Sequence, residues 1–367
     1  MNGYGHRAHQ FSWTFLVLAL LFQTAGTALA QAEPGSALPD SADNFTGTIL
    51  FIFGRPQNAL PVDVAELRAT CVSRLEAALR GRGHRTADRD VIEEQVRKWR
   101  VRGSDLISPE FLRELGQEAD VGQILVATLL TDNARFLLTT RLIDTASGRL
   151  TFVDLIDVDL PEYDPEFAPV GVPEWRRVLD AACQKVVPQW APPPVPAEET
   201  LMVLPTIGIA SDPAITSAAA HSLFKTLLGQ GLVFLDPSLA EVTMIEAGMP
   251  SHWLAPRGRR LLQDRFGAKR ILVSELVSYD QNSPMVSLQA LDPDEPATIR
   301  WILTEFSMSM RTVDLRTGTA LRSATILHDK PPATGWFGNP VRTTLLQELE
   351  ATSQALWAAF SPDSEDN

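Results

Sequence analysis

One pattern occurs twice in this chain, and it constrains the fold more than any other feature. Arg141-Leu142-Ile143-Asp144-Thr145-Ala146-Ser147-Gly148 and Arg311-Thr312-Val313-Asp314-Leu315-Arg316-Thr317-Gly318 share one plan. Each reads Arg, any residue, a β-branched residue, Asp, two variable positions, a hydroxyl residue and Gly. A β-branched position running into Asp and then Gly predicts a strand that enters a tight turn. Gly takes the positive φ such a turn needs, and the Asp carboxylate accepts bonds from the turn's N–H groups. Ahead of each copy lies a second match, Ile124-Leu125-Val126-Ala127-Thr128-Leu129 against Ile271-Leu272-Val273-Ser274-Glu275-Leu276. Matched landmarks in matched order predict two diverged copies of one α/β (α+β) unit, each a small mixed sheet with helices packed on it.

The first unit is expected over residues 46–187. Ile49 to Phe53 is a short apolar run suited to a buried strand. After Asp63, Leu67, Cys71, Leu75, Ala78 and Leu79 recur at helical spacing, and Gly81 and Gly83 end that helix. A short strand leads to Asp88 and a charged helix from Asp90 to Trp99. Ser108 and Pro109 have the N-cap and first-turn chemistry of a third helix, which feeds the strand Gln123 to Leu129. Strands Phe136 to Ile143 and Arg149 to Val158 then flank the turn, and a helix from Glu174 to Val187 closes the unit. The second unit, 200–360, repeats the order. Leu201 to Leu204 is a strand, Pro213 to Leu228 a helix, and Leu232 to Leu235 leads to Asp236, the counterpart of Asp88. Arg257 to Phe266 runs into Ile271 to Leu276. A polar insert, Asp280 to Pro296, separates this from the strands Arg300 to Val313 and Ala320 to Leu327, and a last helix follows Asn339 and Pro340. Between the units, residues 188–199 are proline-rich and read as a stiff spacer. Residues 31–45 and 361–367 read as disordered.

The first thirty residues read as a secretory signal. Arg7 precedes an apolar run, Phe11 to Phe22, too short for a comfortable transmembrane helix, and Ala28-Leu29-Ala30 has the small-residue pattern of a cleavage site. An uncleaved anchor is the alternative. No later segment is long and apolar enough to span a bilayer as a helix, so the expected location is the periplasm, peripheral to the outer membrane. The formal net charge of -13 argues against nucleic acid and against attachment to anionic lipid. The two cysteines, Cys71 and Cys183, lie in helical patterns; an exported chain allows a disulfide between them, and two buried thiols are the equal alternative.

The order of elements, with its Ile-Leu-Val strand and its Arg-x-Ile/Val-Asp-x-x-Ser/Thr-Gly hairpin, resembles a family of envelope domains. It is similar to the amino-terminal domain of the Tol-system protein TolB and to domains of the curli secretion protein CsgG, the penicillin-binding-protein activator LpoB and a flagellar ring protein. The resemblance covers both units and implies work by contact with envelope proteins. The chain lacks the acylated cysteine of the lipoprotein relatives and the propeller that follows the TolB domain. A curli-type pore would need long hairpins facing lipid, and Ile299 to Arg311 alternates only in part.

The sequence contains no phosphate loop, dinucleotide fingerprint, nucleophile elbow or zinc-protease helix motif. No catalytic, cofactor or metal residue is assigned. His84, His221, His252 and His328 stand singly, and the recurring Asp144 and Asp314 fit turn closure better than duplicated chemistry. Arg141 and Arg311 are expected to support those turns or a facing helix. Trp336 and Phe337, in a Gly/Pro loop, are candidate interface aromatics, with a staple under the last helix as the alternative. The expectation is a non-enzymatic periplasmic scaffold that assists an envelope complex, able to form homo-oligomers. The alternative is an oligomeric component of an outer-membrane secretion or ring complex, and an enzyme is the third reading.

Overall fold

The computed structural model describes residues 46–53, 64–81, 84–99, 107–132, 135–159, 181–183, 201–208, 213–250, 252–282, 285–287, 298–300, 303–328 and 345–361. The expected leader (1–30), the stretch 31–45 and the spacer 188–199 lie outside these residues, as do Trp336 and Phe337; of the tail only Ser361 is described.

In the first half, β1 (Thr46–Phe53) is followed by α1 (Val64–Gly81), β2 (Arg85–Thr86), α2 (Arg89–Lys98) and α3 (Pro109–Glu118), then by β3 (Gln123–Asp132), β4 (Arg135–Asp144) and β5 (Arg149–Asp159). β1 pairs in parallel with both β2 and β3, and β3, β4 and β5 form an antiparallel meander. The helices start where local chemistry directs. Asp88 caps α2 by accepting from the Asp90 N–H, and Ser108 caps α3 by accepting from the Phe111 N–H, with Pro109 at the first position.

The second half runs β6 (Leu201–Val203), β7 (Ile207–Gly208), α4 (Pro213–Gly229), β8 (Phe234–Leu235), α5 (Pro237–Glu246), α6 (Pro256–Phe266), β9 (Arg270–Asn282), β10 (Met285–Ser287), β11 (Thr298–Arg300), β12 (Leu303–Asp314), β13 (Ala320–His328) and α7 (Leu345–Phe360). The pairings recur: β6 is parallel to both β8 and β9, and β9, β12 and β13 form the antiparallel meander. Even the irregularity recurs, since β4 against β5 shifts register after Leu142 and β12 against β13 shifts after Thr312. Two differences from the sequence expectation stand out. Residues 237–246, to which no element is assigned from sequence, form helix α5, with Asp236 as its cap and Pro237 at its first position. The polar insert from Asp280 is partly strand, because β9 extends to Asn282 and β10 pairs with β11 as a separate antiparallel ribbon.

Among the described residues the strands of both halves lie in one eleven-stranded sheet, ordered β13-β12-β9-β6-β8-β5-β4-β3-β1-β2 with β7 alongside β9. The residues expected as units 46–187 and 200–360 therefore meet edge to edge, where β5 pairs antiparallel with β8 through Arg149 opposite Leu235 and Leu150 opposite Phe234. Along β6 and β9 alternate residues enter different packing clusters, Val203 and Leu272 in one and Met202 and Ile271 in the other, as a strand with helices on both faces requires. The first cluster is continuous across the halves: Leu115, Ile124 and Leu155 share it with Leu223, Phe234 and Leu356.

Candidate functional site: the joint between the halves and the open sheet edges

The repeated turns consume their own polar groups. Asp144 Oδ1 accepts from the Ser147 N–H at 2.7 Å and from Ser147 Oγ at 2.5 Å, and Gly148 closes the turn at φ 70. Asp314 Oδ1 accepts from the Thr317 N–H at 2.7 Å and from Thr317 Oγ1 at 3.0 Å, with Gly318 at φ 78. The backbone bond from Thr317, with the Thr317 hydroxyl next, holds the Asp314 carboxyl below the usual aspartate range.

Arg141 and Arg311 occupy corresponding places and do different things. Arg141, on β4, reaches from the first half into the second. Its Nε lies 3.2 Å from Oδ2 of Asp236, and both side chains are buried. Asp236 Oδ1 meanwhile accepts from the Ser238 N–H at 2.9 Å and from the Ser238 hydroxyl, and Ser238 Oγ accepts from the Ile107 N–H at 3.2 Å. The Asp236 N–H donates to the Gly148 carbonyl at 2.9 Å, extending the β5–β8 ladder. A buried charge pair costs desolvation, so its worth lies in what happens if one member is removed and the other stays buried. Arg311, on β12, is at the far side of the sheet and pairs through Nη2 with Glu275 at 2.7 Å.

A second tie crosses the joint. Lys225 Nζ, on α4, lies 3.0 Å from Asp154 on β5 and 2.8 Å from Glu350 on α7. Burial pulls the Lys225 ammonium down, but the bond to Glu350 and the charge of Asp154 outweigh it, and the net direction is up.

His328 is not alone. Its Nε2 faces Glu348 at 2.5 Å, its Nδ1 faces Thr352 Oγ1 at 3.1 Å, and its ring stacks on Phe306. The row Thr–His–Glu has the order of a nucleophilic relay, and both His328 and Thr352 are buried. Among the described residues no group of three or more His, Cys, Asp or Glu is placed to hold a metal. Cys71 and Cys183 are both buried and not joined by a disulfide in this structure. No described helix is long and apolar enough to cross a membrane.

The residue that sequence reasoning missed is Asp236 as partner to Arg141. The cue was present in Asp236-Pro237, an N-cap followed by a first-turn proline.

The edges complete the site. Among the described residues β13 and β2 are the outermost strands. On β5 the face carrying Thr151, Val153 and Leu155 is buried; on β13 the corresponding face bears Leu321 at 51% exposure and Leu327 at 67%.

No protein-family profile matches the chain, and no curated protein sequence does. Among solved structures the chain is similar to lipoprotein GNA1162 from Neisseria meningitidis, at 22% identity over 44% of this chain and 99% of that one, TM-score 0.29. It is similar to the PelC dodecamer from Paraburkholderia phytofirmans, at 14% identity over 45% and 91%, TM-score 0.28. The LpoB C-terminal domain from Salmonella enterica aligns at 14% identity over 38% and 87%, TM-score 0.25.

Proposed function

We propose that this chain is a non-enzymatic scaffold or regulator of a cell-envelope complex, exported to the periplasm and working by protein contact. The observation that carries this reading is the edge strand β13, which has no strand beyond it among the described residues and carries Leu321 and Leu327 exposed. Such an edge recruits a partner strand unless it is covered. The polar residues that drew attention in the sequence support it from the other side, because Asp144, Asp314, Arg141 and Arg311 are engaged in internal bonds. The resemblance of the element order to the TolB, CsgG and LpoB domains points the same way. The test is affinity capture from native envelope with the wild-type chain and with Leu327→Asp. An envelope protein retained by the first and lost by the second is expected; recovery of the chain in the cytosolic fraction alone sinks the reading.

A second reading, an oligomeric component of a secretion or ring complex, is favoured by one observation: the halves already associate edge to edge within the chain through β5 and β8.

A further inference from the structure

We propose that copies of this chain assemble head to tail, with the β13 edge of one copy joining the β2 edge of the next in the geometry that joins β5 to β8 inside the chain. The inference deepens the oligomeric reading by naming the surfaces and the direction.

Matching the halves by their pairings places Gly318 at Gly148, Thr319 at Arg149 and Ala320 at Leu150. The same matching places Thr86 at Phe234, since Gly47 pairs with Thr86 as Leu201 pairs with Phe234, and it places Asp88 at Asp236, the helix caps. The internal joint therefore translates into a specific external one. Thr319 lies opposite Ala87 and Ala320 opposite Thr86, the Asp88 N–H donates to the Gly318 carbonyl, and Arg311 faces Asp88. Asp88 is exposed, and half-buried Arg311, which pairs with Glu275 through Nη2, stands at the place that Arg141 holds in the joint.

The exposed apolar residues supply the independent support. Val91 is 39% exposed and corresponds to Leu239, which is 2% exposed inside the joint. Leu254 is 37% exposed and corresponds to Ile107, which is fully buried there. Leu321 on β13 corresponds to buried Thr151. Each open end thus presents apolar side chains where the sealed joint buries theirs, and the two ends are complementary to each other, not each to itself. That is a heterologous contact, which closes into a ring or runs on as a filament.

The experiment uses the full chain. Mass photometry and sedimentation across a concentration series are expected to show multi-chain species that grow with concentration. Val91→Glu and Leu254→Glu, each at an exposed site, are expected to keep the wild-type unfolding midpoint and to weaken assembly by about tenfold or more, since either buries a carboxylate in the contact. Two chains with one added cysteine each, Ala87→Cys and Thr319→Cys, both in a Cys71→Ala/Cys183→Ala background, are expected to cross-link when mixed and not when alone, because facing residues of an antiparallel pair lie within disulfide reach. A chain that stays monomeric to its solubility limit, with no cross-link on mixing, overturns the proposal. So does a cross-link formed by Thr319→Cys alone, which means β13 meets β13. A monomer that still retains an envelope protein through Leu327 refutes this assembly and leaves the scaffold reading standing; an oligomer that retains none does the reverse.

Discussion

The joint between β5 and β8 and the two outer edges of the sheet stand on corresponding residues, yet the joint is sealed and, among the described residues, the edges have no strand beyond them. Phe234 and Leu235 are buried at the joint, where the corresponding positions at the outer edge hold Thr86 and Ala87, both half-buried. Lys225 ties α4 to Asp154 across the joint, whereas the corresponding positions at the ends hold Ala77 and Ala324. Shared backbone geometry with weaker side chains gives one permanent contact and one reversible contact from the same plan.

The largest expected break in this symmetry is at the caps. Asp236→Ala leaves the Arg141 guanidinium buried without its carboxylate and is expected to cost about 3–5 kcal/mol in denaturant unfolding. Asp88→Ala removes only an exposed cap and is expected to cost about 1 kcal/mol when measured on dilute chain. Equal losses would contradict the comparison.

Next come the glycines. Both Gly148 and Gly318 have positive φ, so an added Cβ strains either one by about 1 kcal/mol. At Gly148 that Cβ would also lie 2.6 Å from Leu239 Cδ1 in the packed joint, whereas at Gly318 it meets the half-buried Arg259 guanidinium, which bonds the Leu254 and Leu315 carbonyls and has solvent to move into. Gly148→Ala is expected to lower stability by about 2–4 kcal/mol and Gly318→Ala by about 1 kcal/mol, read from unfolding midpoints.

Lys225→Met removes the tie while keeping the aliphatic stem. Because Lys225 is partly exposed, the loss is expected to be about 1–2 kcal/mol, and Ala77→Met at the corresponding place should change little.

The smallest effect concerns pH. Asp314 has its folded-state pKa lowered, so its contribution is present above the unfolded aspartate pKa and disappears as pH falls through the lower folded value. Asp314→Asn is expected to lower stability slightly at neutral pH, where the ionised carboxylate contributes, and to flatten the acid limb below about pH 4, where variant and wild type converge. An acid limb unaltered by that substitution would remove Thr317 bonding as its source.

Much of this was legible because it is local. Strands β3 and β9 announce themselves in Ile-Leu-Val runs, and α3 in Ser108-Pro109. Helix α5 escaped notice because it sits against the joint, burying Ser238 and Thr243 along with Leu239 and Met244, so it lacks the one-sided apolar pattern of a surface helix. The Arg141–Asp236 pair joins residues far apart in sequence, and periodicity carries no information about such distance. The β5–β8 joint is fixed by the opposition of Arg149 to Leu235 and of Leu150 to Phe234, and so short a ladder leaves no compositional trace. The strand content of the insert was hidden by its Asp and Pro residues, which elsewhere mark turns.

The brevity of the β5–β8 ladder has a consequence for when the chain can associate. Within one chain the two edges are covalently tethered, so they meet at a local concentration set by the connecting segment, and a short contact suffices. Between chains no tether exists, and the same contact answers to the number of copies in a given volume. Confinement at a surface or along a partner would therefore act as the trigger, turning crowding itself into the signal for assembly.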